Sequence, residues 1–254
     1  MKWIDADTHI SSETTGNRIS ADRLVEQMDR IGISRSLVWL HPNQREDEPC
    51  DFEAQNQYIY ASSQRFPARL LPVGWVNPRV YDFTQIQEQI LRQTGEYGFQ
   101  GIKMNGAQNF YDLLDPVISL PVIESIAMQG VFLAFHSDAN SNTHPDKIAR
   151  IAGLYPEVKI LLVHMGQTAC QAAIRAAKQH DNILLIGSGM PDLSPVLAAV
   201  KTLGSKRVCF GSDAPFSDAE TAMANYRSLL QGNISEGEMA DVAGGNLLRL
   251  FGKA

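Results

Sequence analysis

The strongest constraint on this chain is an alternation, kept from Ile4 to Phe251, of short β-branched or aromatic runs with stretches of helical periodicity. Parallel strands need a long crossover between them, and a helix packed on the sheet face is the usual one, so the alternation dictates βα units. The strands are expected at 4–9, 36–41, 70–76, 99–105, 131–136, 159–164, 183–188 and 207–213. Ser20 reads as a helix cap, with Leu24, Met28 and Ile31 inward and Gly32 as the stop. The segment 51–65 reads as helix, and Phe83, Ile86, Ile90 and Leu91 mark the inward face of the next one. Pro145 opens a helix with Ile148, Ile151 and Leu154 inward, and an alanine-rich run over 169–177 supplies a tightly packed one. Ser194 and Pro195 read as a cap and first helical position, and Ser235 with Glu238 fits a capping box ahead of the last helix, 246–251. Eight βα units in 254 residues is the count of an α/β single (β/α)8 TIM barrel, one domain over 1–254. The competing open, doubly wound sheet lacks its glycine-rich phosphate loop after the first strand.

Partners are bounded by charge. With 28 acidic against 22 basic residues, net −6, the chain lacks the basic excess that phosphate backbones require, so nucleic acid is excluded as the expected partner. No apolar run approaches membrane-spanning length and the N-terminus has no signal-peptide pattern, so a cytoplasmic protein with no membrane partner is expected. Cys50, Cys170 and Cys209 are far apart, in no CxxC pair, and are expected reduced.

The polar residues sort by position. In Asp7-Thr8-His9 the outer two side chains share one strand face, so a carboxylate and an imidazole can converge on a divalent cation. Of six histidines, His9, His41, His136 and His164 stand at or beside C-terminal strand ends, where a barrel builds its active site, and Asp213 ends the eighth strand. His180 precedes the seventh strand and belongs to the opposite face; His144, just ahead of Pro145, flanks a helix start, and neither it nor His41 is expected as a ligand. Trp39, His41, Trp75, Phe110, Tyr111, Met190 and Phe216 follow or close strand ends and are expected to form an aromatic rim suited to a small cyclic or planar substrate.

Asp5-x-Asp7-x-His9, His136, His164-Met165-Gly166, Gly211-Ser212-Asp213-Ala214-Pro215 and the terminal run from Gly245 to Gly252 together resemble the amidohydrolase-related proteins of the metal-dependent amidohydrolase superfamily over the whole chain. The resemblance implies one divalent ion, zinc first and manganese as the alternative, held by Asp7, His9, His136 and Asp213. It makes His164 the residue that polarises the substrate or moves a proton, with Asp213 also catalytic. The chain departs from the usual His-x-His by placing Asp7 first, an acidic choice known among decarboxylating relatives. Lys103 has two readings: a carbamate bridging two ions, as in relatives with a histidine where Asn105 stands, or an ammonium that binds a substrate carboxylate or pairs with Asp7.

The expected activity is hydrolysis of a small cyclic ester or amide, a lactone for instance, by metal-activated water, whose proton Asp213 accepts. Two alternatives stand beside it. One is non-oxidative decarboxylation of an aromatic or unsaturated acid, against which the compact chain argues mildly; the other is a ligand-binding barrel without catalysis. A small-molecule substrate is expected in either enzyme reading, and a homo-oligomer is left open.

Overall fold

A computed structural model describes residues 2–42, 52–80 and 82–252. Its strands are β1 (Trp3–Ile10), β2 (Ile33–Leu40), β3 (Leu70–Pro72), β4 (Gly74–Trp75), β5 (Gly101–Met104), β6 (Phe132–His136), β7 (Ile160–Val163), β8 (Ile183–Ile186) and β9 (Val208–Cys209). All pairings are parallel, in the orders β1-β2-β3 and β4 through β9. Every residue of β1 is buried, because helices cover one sheet face while the barrel interior fills the other.

Two seams join these sheets into the expected barrel. The strand expected over 70–76 is interrupted between Pro72 and Gly74: Pro72 has no N–H to give a ladder, yet the Val73 N–H donates back to the Val38 carbonyl (3.0 Å) and that of Val76 forward to Lys103 (3.2 Å). Beyond β9, Phe210 to Ala214 runs alongside β1. The Ala6 N–H donates to the Phe210 carbonyl (3.0 Å), that of Asp213 to Asp7 (2.9 Å) and that of His9 to Ala214 (2.7 Å). The last strand therefore closes on the first, placing Asp213 against Asp7.

The helices follow their sequence signals with instructive exceptions. In α1 (Ala21–Ile31) the Ser20 hydroxyl accepts from the Arg23 N–H, Leu24 and Met28 are buried, and Gly32 ends the helix in the left-handed region; burying two such side chains contributes about 1.5–3 kcal/mol each. Helix α2 (Glu53–Arg65) falls within the expected 51–65, and α3 (Phe83–Leu91) buries Ile86 and Ile90. Phe83 and Leu91 are exposed, however, because they stand at opposite ends of a nine-residue helix, beyond its contact with the barrel. Helix α4 (Leu120–Ala127) is followed by α5 (Pro145–Leu154), in which Ile148 and Ile151 are buried but Leu154, its last residue, is 59% exposed. Helix α6 (Cys170–Gln179) packs Ala172, Ala173, Ala176 and Ala177 inward. Ser194 is the first residue of α7 (Ser194–Leu203) rather than its cap, since the Asp192 carboxylate takes its N–H and hydroxyl. Helix α8 (Ala219–Leu230) precedes α9 (Glu236–Ala240), which starts in the expected Ser235–Glu238 capping box, and α10 (Asn246–Leu250) is the last helix among the described residues. Cys50 lies outside the described residues.

Candidate metal centre

Asp7 and His9 come from β1 and Asp213 from the segment that closes the barrel against it. One donor atom of each lies within 4.8 Å of the others. The His9 ring is set by its backbone neighbour: Nδ1 donates to the Leu40 carbonyl (2.7 Å), which leaves the lone pair on Nε2. That Nε2 lies 3.7 Å from Asp7 Oδ1 and 3.5 Å from Asp213 Oδ1, and the Trp39 indole N–H donates to it at 3.1 Å. Asp7 Oδ1 is buried without a hydrogen-bond partner. An orphaned carboxylate oxygen beside an imidazole lone pair and a second carboxylate is a donor set that fits a divalent cation.

The surroundings tune these groups. Burial works to raise the Asp7 carboxyl, but the charges of Lys103, His164 and His9 and the Ser188 hydroxyl hold it below the usual range. Asp213 is pushed up to about 7 by burial and by the neighbouring Asp7. Burial, aided by Lys103, lowers His9 well below its ordinary value, and burial also lowers His164. Asp5, two residues before Asp7, accepts from the N–H groups of Asp7 (3.1 Å) and Ser212 (2.8 Å), tying β1 to the closing segment; burial pushes its carboxyl up to about 7.

His164 follows β7, with Nδ1 3.6 Å from Asp7 Oδ2. It opens a turn in which His164, Met165, Gly166 and Gln167 all have positive φ, a costly run for non-glycine residues of the kind that clusters at functional sites. His136 ends β6 with its ring centre 4.8 Å from that of His164, but its Nε2 faces Asp138 Oδ2 at 3.2 Å, so it stands next to the three-residue group and outside it. The Asp138 carboxylate is fixed in turn by the Asn140 N–H and the Thr143 hydroxyl, both at 2.8 Å.

Trp39 and Trp75 are not rim residues. Both are fully buried, because their faces enclose the Lys103 ammonium, 3.6 Å from the Trp39 ring centre and 4.6 Å from that of Trp75. Asn56 of α2 holds the second indole by both main-chain groups, its amide donating to the Trp75 carbonyl (2.8 Å) and its oxygen accepting the Trp75 N–H (3.0 Å). Lys103 is itself buried, which brings its ammonium down to about 8 while Asp7 and Asp213 hold it up. Asn105 is engaged with Gln108. His41 stacks on Phe216 (4.6 Å), and its Nε2 is buried without a partner. Tyr111 is buried and Met190 half-buried, whereas Phe110 is 53% exposed, its carbonyl taken by Arg79. His144 caps α5 by accepting the Asp146 N–H, and His180 follows α6.

Sequence reasoning missed Ser188 and Asp138. Ser188 closes the expected seventh strand, so the positional rule that singled out the histidines also pointed to it; Asp138 follows His136 at the spacing of a loop acceptor.

A family model described as Amidohydrolase matches residues 4–253. No curated protein sequence matches significantly. Among solved structures, the chain is similar to 5-carboxyvanillate decarboxylase LigW from Sphingomonas paucimobilis, with 17% identity, 98% of each chain covered and a TM-score of 0.78. A dihydroxybenzoic acid decarboxylase from Polaromonas sp., bound to manganese and the inhibitor 2-nitroresorcinol, matches at 17% identity over 99% of this chain and 97% of that one, TM-score 0.74. A probable 2-pyrone-4,6-dicarboxylic acid hydrolase from Acinetobacter baumannii, with citric acid bound, matches at 13% identity over 99% of this chain and all of that one, TM-score 0.70. At these identities the likeness establishes the fold.

Proposed function

Because the chain belongs to the amidohydrolase family, we propose that it is a metal-dependent hydrolase of a small cyclic ester or amide that carries a carboxylate. The observation that carries the reading is the convergence of Asp7, His9 and Asp213, with the charges of the two carboxylates acting on the buried Lys103 ammonium. These three residues would hold the ion, with His136 the fourth donor by its strand-end position. Zinc or manganese suits two carboxylates and imidazole; a manganese-bound relative favours testing manganese first. When bound, such an ion supplies Lewis-acid activation of the attacking water and the scissile carbonyl. Asp213 would stand beside that water, placed to take its proton and return it to the leaving group. Lys103 is the cation for the substrate carboxylate, and the stacked His41 and Phe216 form an aromatic wall for a planar ring.

Decarboxylation of an aromatic or unsaturated acid is the second reading, favoured by a specific observation: with both Asp7 and Asp213 in the group, two anions weaken the ion as a Lewis acid for water. The match also spans nearly all of the decarboxylase chains, so chain length no longer separates the two reactions. Metal-loaded protein should be given carboxylated lactones, amides and hydroxylated aromatic acids while titratable acid and CO₂ are followed. Acid without CO₂ supports hydrolysis, and CO₂ release replaces it with decarboxylation. A stoichiometric ion with no turnover leaves a binding barrel, and no ion retained after reconstitution defeats the metal reading.

A further inference from the structure

The contacts of Ser188 assign the protons around His164. The Ser188 carbonyl lies 3.1 Å from His164 Nδ1 and can only accept. The Ser188 hydroxyl donates its one proton to Asp7 Oδ2, so toward His164 Nδ1, 3.0 Å away, it too can only accept. Both contacts require the hydrogen on Nδ1, which puts the lone pair on Nε2, an atom with no hydrogen bond among the described residues. The same hydroxyl turns Asp7 so that Oδ2 is satisfied and the unpartnered Oδ1 faces His9 Nε2.

We propose that Ser188 is a positioning residue that fixes two neighbours at once, Asp7 with Oδ1 left for the ion and His164 with Nε2 left bare as an acceptor. The inference rests on the metal-dependent reading above. It selects proton transfer over oxyanion stabilisation for His164, since a nitrogen bearing a lone pair cannot donate to an oxyanion. An outer partner of a metal ligand is worth about 10–100-fold in metal affinity, which makes the idea measurable without turnover.

The test compares the parent with Ser188→Ala and Ser188→Thr in Mn²⁺ titrations read by the signal of free ion, alongside melting temperature. Imidazole ¹⁵N shifts of the metal-free parent, with His164 assigned by its loss in His164→Asn, report the tautomer with no change at Ser188. We expect Ser188→Ala to bind Mn²⁺ about 10–100-fold more weakly while melting close to the parent, Ser188→Thr to restore binding where its methyl is accommodated, and His164 to carry its hydrogen on Nδ1. Parental Mn²⁺ affinity in Ser188→Ala, or a hydrogen on Nε2, overturns the proposal and leaves the metal reading standing. Failure of the parent itself to bind Mn²⁺ overturns both.

Discussion

His164 sits beside Asp7 but outside the group of three donors, so removing its imidazole separates chemistry from metal binding. His164→Asn is expected to keep stoichiometric metal and to melt near the parent while losing about 10²-fold or more in kcat, the scale for deleting an acid–base partner. Metal content and activity measured on one preparation check this; loss of both together would make His164 a ligand. At this scale the sequence was informative wherever chemistry depends on strand position. Asp7, His9 and Asp213 are legible because strand alternation and the strand-end rule fix where they point. The contact of His136 with Asp138 was not, because it depends on how Thr143 and Asn140 hold a loop carboxylate. Nor was the burial of Trp39 and Trp75, since a strand-end indole reads as rim until the lysine between the two rings is known.

Among elements, the segments that leave the barrel strands do the positioning. Gly189, immediately after Ser188, has φ +60, and a Cβ built there would lie 3.0 Å from both Asp213 Oδ2 and His164 Nδ1. Only a residue without a side chain lets the chain pass under both groups. Gly189→Ala should therefore cost about 1 kcal/mol or more in stability, the penalty of alanine at positive φ, and also weaken Mn²⁺ binding by displacing Asp213. Denaturant midpoints and metal titrations check the two effects separately; if neither moves, the backbone has room that these distances deny. The helices show what periodicity can and cannot deliver. Leu24, Met28, Ile86, Ile90, Ile148 and Ile151 are buried as their spacing requires, whereas Phe83, Leu91 and Leu154 are not, because a helical stripe runs past the patch of barrel that covers it. The left-handed turn at His164–Gln167 had no sequence signal beyond Gly166, three of its four residues not being glycine.

For the whole molecule, the alternation specified a barrel, and what it left unstated was how the ends meet. They meet at the proposed metal centre: Asp7 and His9 lie on the first strand, Asp213 on the segment hydrogen-bonded to it, and Asp5 accepts from both sides of the seam. Without an ion this seam holds Asp7 and Asp213 close together, and the charge of Asp7 helps push the Asp213 carboxyl up. A cation bound there replaces that repulsion with attraction and links the two ends of the chain, so loading is a stability event as well as a catalytic one. Binding to the native state alone adds RT ln(1 + [L]/Kd), about 2.7 kcal/mol at a hundredfold excess. For a chain of 254 residues that corresponds to a rise of about 5–10 °C in Tm. Asp7→Ala is expected to abolish the rise and also to lower the metal-free Tm, because the buried Lys103 ammonium and the Ser188 hydroxyl lose the carboxylate they face, so the rise is read against each protein's own chelated state. Thermal scans of chelated and Mn²⁺-loaded parent and variant decide the matter. A parent that does not respond places no ion at the seam, and an Asp7→Ala variant that responds like the parent moves the ion to other donors.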